Sequence, residues 1–336
     1  MLMPFVTVIM PVRNEEAYLA GCLDSLFATD YGLERLEVLV IDGSSTDRTL
    51  EILAGYQTRY PCLRLLENPR QLQVAALNLG IQAARGEIIV RMDAHSEYPA
   101  DYIGRCVTLL LASGADNVGG VLEAAGRTPF GKAVALAVTS PFGAGDAKYR
   151  TAVQEAWVDT IFPGVWRKTT LQRLGGFQAA WEVNEDYELN YRLRRSGGKI
   201  LLSPAIRCRY YVREGIGALA RQYFRYGHWK VKTLVAHPDS LRWRQLAAPL
   251  LVLGLAVSAL TAWWLPVLGA LPPALYLLAA LAASAAKGLR WLPVLPVVYL
   301  TLHLSWGIGF FSGIFKWGLP RLTLQHVRNA VRAIRS

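Results

Sequence analysis

Acidic residues almost vanish from the second part of this chain. Residues 200–336 hold 16 Lys and Arg but only two acids, Glu214 and Asp239; residues 1–199 hold the other 20 basic and 23 acidic residues. Between Arg244 and Lys287 there is no charged residue of either sign over 42 positions. A membrane-spanning helix needs ~20 residues, so this run exceeds one span. Apolar character all round excludes the surface helix of a soluble domain. A basic half usually raises nucleic acid as a partner. Here the basic residues flank apolar spans, and no zinc-finger spacing or RNA-binding motif is present, which points to anionic lipid headgroups and away from nucleic acid. Cysteine is scarce. The four residues Cys22, Cys62, Cys106 and Cys208 form no CxxC pair, which excludes a disulfide framework and a cysteine metal cluster. Cys22, Cys62 and Cys106 read as small buried apolar residues in a reducing compartment. The amino terminus lacks a basic leader, and its short apolar run is broken by Pro4 and Pro11, so a secretory signal is not expected and the first part should stay in the cytoplasm.

What is present in the first third is an alternation of strand and helix patterns. Strands are expected at Phe5–Pro11, Leu36–Ile41, Leu63–Leu66 and Glu87–Met92, and helices at Asn14–Phe27, Thr46–Tyr60 and Gln71–Ala84. A βαβαβα order implies a parallel sheet with helices on both faces. Ligands of such sheets lie beyond the carboxyl ends of the strands, where Pro11-Val12-Arg13-Asn14, Asp42 and Asp93 all fall. A later helix begins at Asn184, with Gly197-Gly198 past its end. Leu189 and Leu193 face a core one turn apart; Asp186 and Asn190 share another face. Glu188 and Arg192 are spaced to pair on the helix surface. Acids in a first turn also suit the helix dipole, with or without chemistry.

Three stretches then carry a resemblance. Val8-Ile9-Met10-Pro11-Val12-Arg13-Asn14-Glu15-Glu16, Val40-Ile41-Asp42-Gly43-Ser44-Ser45-Thr46-Asp47-Arg48-Thr49 and Met92-Asp93-Ala94-His95 resemble family 2 glycosyltransferases of the GT-A fold. The Asn184–Leu193 segment matches their late acidic motif. Within that family, Arg91–Ser96, Val158-Asp159-Thr160 and the Asn184–Leu193 run look like the succinoglycan-biosynthesis glucosyltransferase branch. The resemblance covers roughly residues 4–230 and implies an α/β fold, with a Rossmann-like, mostly parallel sheet as catalytic domain. It also implies a divalent metal, Mn²⁺ or Mg²⁺, that neutralises the departing pyrophosphate of a nucleotide sugar. Asp93 matches the first Asp of the family's DxD motif and stands near the ribose or the metal. His95 replaces the second Asp, as a metal ligand suited to Mn²⁺ or as a loop hydrogen-bonding group. Asp42 matches the carboxylate that accepts the uracil N–H, or shapes an Asx turn. Pro11 and Arg13 frame the uracil, with Arg13 where many relatives carry Tyr. Glu15 contacts the nucleotide or favours the helix start, Asp47 reads as a helix-start acid, and Arg70 is a phosphate or base contact or a solvated loop residue. Asp186 is the implied general base, with Glu185 beside it orienting the loop. Asp159 and Trp166 fall on the acceptor side, although Trp166 could equally fill the core. Gln222-Tyr223-Phe224-Arg225-Tyr226 resembles a variant of the QxxRW motif, so Gln222, Arg225 and Tyr226 are candidates for the acceptor and leaving-group side.

Four regions follow: a catalytic domain at 1–213, an amphipathic membrane-interface segment at 214–245, transmembrane helices within 246–316, and a basic amphipathic tail at 317–336. In the interface segment Leu219, Tyr223, Tyr226 and Lys230 recur at helical spacing among basic and aromatic anchors. Pro266, Gly269, Pro272 and Pro273 mark a turn between spans of about 246–265 and 270–286. The third stretch, about 291–315, carries Pro293 and Pro296 at its start and Gly307, Gly309 and Gly313 near its end. Two to three spans are expected: a full third span would put the tail outside, whereas the basic tail favours the cytoplasm and a re-entrant or broken third helix, with Leu322–Ile334 along the inner headgroups of a bacterial cytoplasmic membrane. The resemblance implies an inverting transfer of a hexose, glucose first, from a UDP-sugar to a polyprenyl-pyrophosphate-linked sugar. The alternative is a processive membrane polysaccharide synthase.

Overall fold

The computed structural model describes residues 3–145, 147–323 and 325–326. In chain order the elements are β1 Val6–Val12, α1 Leu19–Phe27, β2 Leu36–Asp42, α2 Thr49–Arg59, β3 Leu63–Glu67, α3 Gln73–Ala83, β4 Ile88–Arg91, β5 Ser96–Glu97, α4 Tyr102–Ala112 and β6 Asn117–Ala125. Then come α5 Pro129–Val138, α6 Pro141–Ala144, α7 Lys148–Thr151, β7 Ala156–Trp157, β8 Val165–Arg167, α8 Lys168–Arg173, α9 Glu185–Arg195 and β9 Ile200–Tyr211. Four helices finish the chain: α10 Ile216–Ala236, α11 Arg244–Ala262, α12 Pro266–Ala285 and α13 Leu295–Trp317. Two compact units result, one of Met1–Glu123 with Ala152–Tyr210, the other of Ala124–Thr151 with Tyr211–Ser336.

The first unit is built on a sheet of order β3-β2-β1-β4-β8-β6-β9-β5, with β7 also on β9. The expected parallel half is there: β1 pairs in parallel with β2 and β4, and β2 with β3. Beyond β4 the sheet turns antiparallel, β8 pairing with both β4 and β6, so the whole is mixed. Every residue of β2 is buried, as expected of a strand covered on both faces. Ile9, Leu39, Ile41, Val74, Leu77, Ile89, Leu171, Phe177 and Leu189 form one core; each such side chain contributes ~1.5–3 kcal/mol on burial. Gly80 lets α3 close on β1, because a Cβ there would meet Ile9 Cγ2 at 2.8 Å.

At the amino ends of the strands Glu37 lies fully buried in β2. Its carboxylate accepts from Thr7 Oγ1 (2.8 Å), Arg64 Nη1 (2.7 Å), and the backbone N–H and Nε of Arg85 (both 2.8 Å). Burial pushes this carboxyl up, but those hydrogen bonds outweigh it and hold the group below the usual carboxylate range.

In the second unit three helices are long and apolar enough to cross a membrane: Arg244–Ala262, Pro266–Ala285 and Leu295–Trp317. Two details correct the sequence reading. The turn between α11 and α12 is shorter than expected, and Pro272 and Pro273 lie inside α12. Proline at 273 removes the N–H that would bond the Gly269 carbonyl; Ser258 Oγ of α11 donates to that carbonyl instead. The third stretch is also one continuous helix, not a broken one. Its glycines are sites of close approach: a Cβ at Gly309 would strike the Phe224 carbonyl of α10, at Gly313 that of His228, and at Gly307 that of Ala248 in α11. Small residues that let helix backbones touch are the usual packing device where lipid removes the hydrophobic drive. The segment expected at Leu322–Ile334 lies largely outside the described residues.

Candidate functional site

Both helices that follow the first two strands start later than their apolar spacing suggests, and hydrogen bonding explains why. Asn14, Glu15 and Glu16 donate their backbone N–H groups to Ser45 Oγ (2.9 Å), Thr49 Oγ1 (2.8 Å) and Asp47 Oδ2 (3.1 Å). In return Thr46 N–H donates to Asn14 Oδ1 (2.8 Å) and Arg48 N–H to Glu16 Oε2 (3.0 Å). Amides that would open each helix are committed to the other loop, and Asn14 adopts a left-handed φ of 55°. The two strand-end loops are thereby laced together. Asp42 closes the same structure: its carboxylate accepts from Ser45 Oγ (2.5 Å) and Ser45 N–H (3.0 Å). Asp42 thus shapes the loop after β2, although it bonds the N–H three residues on and not two, as an Asx turn would. An ionised carboxylate has about four acceptor positions, so this leaves capacity for a ligand N–H. Asp47 receives the Thr49 N–H at 3.0 Å, the helix-start role. Arg13 and Arg70 are exposed, and Pro11 is half-buried in β1.

Asp93 follows β4 and is buried. Its backbone N–H donates to the hydroxyl of buried Tyr98 at 2.8 Å. Its Oδ1 accepts from Arg91 Nε at 3.2 Å, and Arg91 Nη1 donates to Glu185 Oε1 at 3.1 Å. Arg91 is 1% exposed, and its guanidinium stands 4.6 Å from the centre of the Phe162 ring. Burial pushes the Glu185 carboxyl up to about 7, against the lowering pull of Arg91 and with a further push from Asp186. Asp186, half-buried in the first turn of α9, is also raised by burial, while Arg91 pulls it down. His95 Nδ1 stands 3.2 Å from Glu15 Oε1, and its ring meets Tyr210 edge-on at 5.3 Å.

Helix α9 is anchored from below. Asn190 Nδ2 donates to Thr160 Oγ1 and the Ile161 carbonyl (both 3.0 Å), and Asn190 Oδ1 accepts from Asn117 Nδ2 (2.8 Å). This ties the segment carrying half-buried Asp159 to α9. Asn184 precedes α9 as expected but takes φ 63° and makes no capping side-chain bond. The Glu188–Arg192 pair forms at 2.7 Å, yet Glu188 is buried, not on the surface. Trp166 needs correction: it is 2% exposed, lies in β8 and packs edge-on against Phe177, so no face is open to stack on a sugar. Gln222, Arg225 and Tyr226 belong to α10 in the second unit, where Gln222 Nε2 donates to Tyr226 Oη at 3.0 Å.

Sequence reasoning missed Arg91 and Tyr98. The available signal was a lone arginine in the otherwise apolar end of Glu87–Met92; one carboxylate partner, Asp93, stands two positions on, and the other, Glu185, lies 94 positions away. Among the described residues no three His, Cys, Asp or Glu side chains converge as a cation cage.

A mixed sheet with a parallel half, laced acidic loops at its carboxyl edge and a late acid-headed helix define a GT-A glycosyltransferase. Residues 7–169 match the family described as Glycosyl transferase family 2. Succinoglycan biosynthesis protein ExoA of Rhizobium meliloti (strain 1021) is 32% identical over 318 residues, 92% of this chain and 95% of that protein. A dolichyl N-acetyl-alpha-D-glucosaminyl phosphate 3-beta-D-2,3-diacetamido-2,3-dideoxy-beta-D-glucuronosyltransferase of Methanococcus voltae is 25% identical over 67% of this chain and 72% of its own length. Among solved structures, mannosyltransferase PcManGT from Pyrobaculum calidifontis, in complex with GDP-Man and Mn²⁺, superposes with a TM-score of 0.63 at 23% identity, covering 93% of this chain and 88% of that one. The chain belongs to glycosyltransferase family 2, and it acts in polysaccharide or glycolipid biosynthesis.

Proposed function

We propose that the chain is an inverting glycosyltransferase that moves one hexose, glucose first among candidates, from a UDP-sugar to a lipid-linked acceptor sugar during exopolysaccharide synthesis. The observation that carries this reading is the pair of adjacent acids at the head of α9. Glu185 is bound to Arg91 and is thereby occupied as a structural group. Asp186, beside it, has an affinity for protons raised by burial, which makes it a better base than an exposed carboxylate. It takes the proton from the acceptor hydroxyl as that oxygen attacks the anomeric carbon. Asp42 receives the uracil N–H at the end of β2, and the laced loops hold it ready before the sugar nucleotide arrives. Asp93, with His95 nearby, would hold the divalent ion. When bound, that ion neutralises the pyrophosphate charge that develops on departure. Glu15 fixes the His95 ring. The lipid-linked acceptor is supported by the dolichyl-phosphate-linked sugar in the name of the Methanococcus voltae relative and by three apolar helices suited to a bacterial cytoplasmic membrane, with the first unit on the cytoplasmic side. Asp159 lies on the acceptor side, and Gln222, Arg225 and Tyr226 serve there or on the leaving-group side.

Purified protein incubated with labelled UDP-glucose, Mn²⁺ or Mg²⁺ and a polyprenyl-pyrophosphate-sugar acceptor should yield acceptor extended by one residue. A ladder of longer products would establish the processive alternative. Transfer from another nucleotide sugar alone would replace glucose.

A further inference from the structure

Arg91 occupies a position that stability alone does not explain. It interrupts an apolar strand, and nearly all of its surface is covered. Taking an ion pair out of water costs several kcal/mol per ion, and apolar residues of similar volume usually hold such a place as well or better. Its plane is fixed by the ring of Phe162 at 4.6 Å and that of Phe177 at 6.0 Å. Its Nε and Nη1 point at two carboxylates, Asp93 at the end of β4 and Glu185 at the head of α9. Its positive charge also acts on Asp186, the next residue along. Arg91 is the cation on which all three acids act, and it offsets their mutual repulsion.

We propose that Arg91 is a positioning residue for sugar transfer: its guanidinium forks between Asp93 and Glu185 and so sets the first turn of α9, with Asp186, at a fixed place relative to the strand end that carries Asp93. The inference rests on the reading of Asp186 as the base. It assigns to Arg91 no contact with either substrate. A lysine keeps the charge but cannot present the planar fork, so Arg91→Lys lets the first turn of α9 drift. Displacements near 1 Å can cost ~10²-fold in rate.

The test uses the full-length protein in detergent with UDP-glucose as donor. For Arg91→Lys we expect a cooperative thermal transition, UDP binding by calorimetry within about threefold of the parent, an unchanged KM for UDP-glucose, and a kcat about 10²-fold lower. A second variant, Arg91→Met with Glu185→Gln, removes Arg91 and one of its two carboxylate partners while filling their volume, but leaves buried Asp93 without its partner. It should unfold below the parental temperature and, once folded, still show the low kcat. A double variant that is folded and fully active makes Arg91 merely structural and overturns the proposal. Should the double variant fail to fold, Arg91→Lys decides by itself, and parental kcat there overturns it equally. Asp186→Asn is run alongside: if it still transfers sugar, the base assignment fails, whatever the Arg91 variants do.

Discussion

The two ends of the parallel half of the sheet treat a buried carboxylate in opposite ways. At the amino end Glu37 is surrounded by a hydroxyl, an amide and two guanidinium groups, and its proton affinity falls. At the carboxyl end Glu185 meets one arginine in a nest of other acids, and its proton affinity rises. Both side chains are closed to solvent, 0% and 6% exposed. At Glu185 burial is the leading cause and one arginine does not offset it, whereas at Glu37 four hydrogen bonds outweigh burial. An over-satisfied carboxylate is a rivet; an under-satisfied one, beside further acids, holds strain where ligands bind.

The largest effect should come from the carboxyl end. Asp186→Asn should cost ~10²–10⁴-fold in kcat, with UDP affinity by calorimetry unchanged. Substantial transfer by the folded variant would leave the acids at that end without a base among them. Next, Asp93→Ala should weaken metal-dependent UDP binding at least tenfold, about 1.4 kcal/mol, and activity with it; retention of Mn²⁺-dependent UDP affinity would move the ion elsewhere.

The amino end should show the reverse pattern. Glu37→Ala strands the Thr7 hydroxyl and the Arg85 N–H. Arg64 and Arg85 are 43% and 64% exposed and can return to water. The expected cost is therefore about 1–3 kcal/mol of stability, with kcat per folded molecule unchanged, measured by urea denaturation beside initial rates. A fall in kcat would erase the distinction between the two ends.

The pH profile sharpens it further. Glu185 has a folded value of about 7 against an ordinary 4.5. The folded state therefore binds more protons than the unfolded state between those values. Its stabilising effect is complete below pH 4.5 and is lost as pH rises through 7, with a slope of at most ~1.4 kcal/mol per pH unit. Glu185→Gln should flatten stability over that window, whereas Glu37→Gln should not; equal flattening by both would contradict the contrast. The smallest effect is expected at His95. His95→Asp exchanges an imidazole for a hard oxygen donor and should shift the Mn²⁺-to-Mg²⁺ activity ratio a few-fold towards Mg²⁺. An unchanged ratio would place His95 outside the coordination shell.

The parallel half of the first unit was legible because its signals are local. Runs such as Leu36–Ile41 are apolar without interruption, and Asp42-Gly43-Ser44-Ser45 announces its turn by residue type. Helix starts at Asn14 and Thr46 misled because the hydrogen-bond partners that delay them lie about thirty residues away. Arg91 stayed hidden because its Glu185 partner lies 94 positions away; Tyr98 bonds Asp93 only five positions off, but an aromatic residue there reads equally as core. Trp166 could be a sugar platform or core, since an indole suits both and only burial separates them. The glycines of the last helix read as weak points because sequence shows what glycine lacks, not what approaches it.

Those glycines also bear on how the protein is made. Gly309 and Gly313 receive the backbone of α10, and Gly307 that of α11, so both helices wait for a partner that is made later in translation. About 80 residues separate the last residue of α10, Ala236, from that of α13, Trp317. At roughly 5–20 residues per second, the ribosome takes about 4–16 s to supply them. During that interval the nascent second unit presents an uncovered groove along α10, a natural target for an insertase or a quality-control protease. Ribosomes stalled shortly before codon 295 should expose α10 to protease, and stalling well beyond codon 317 should protect it.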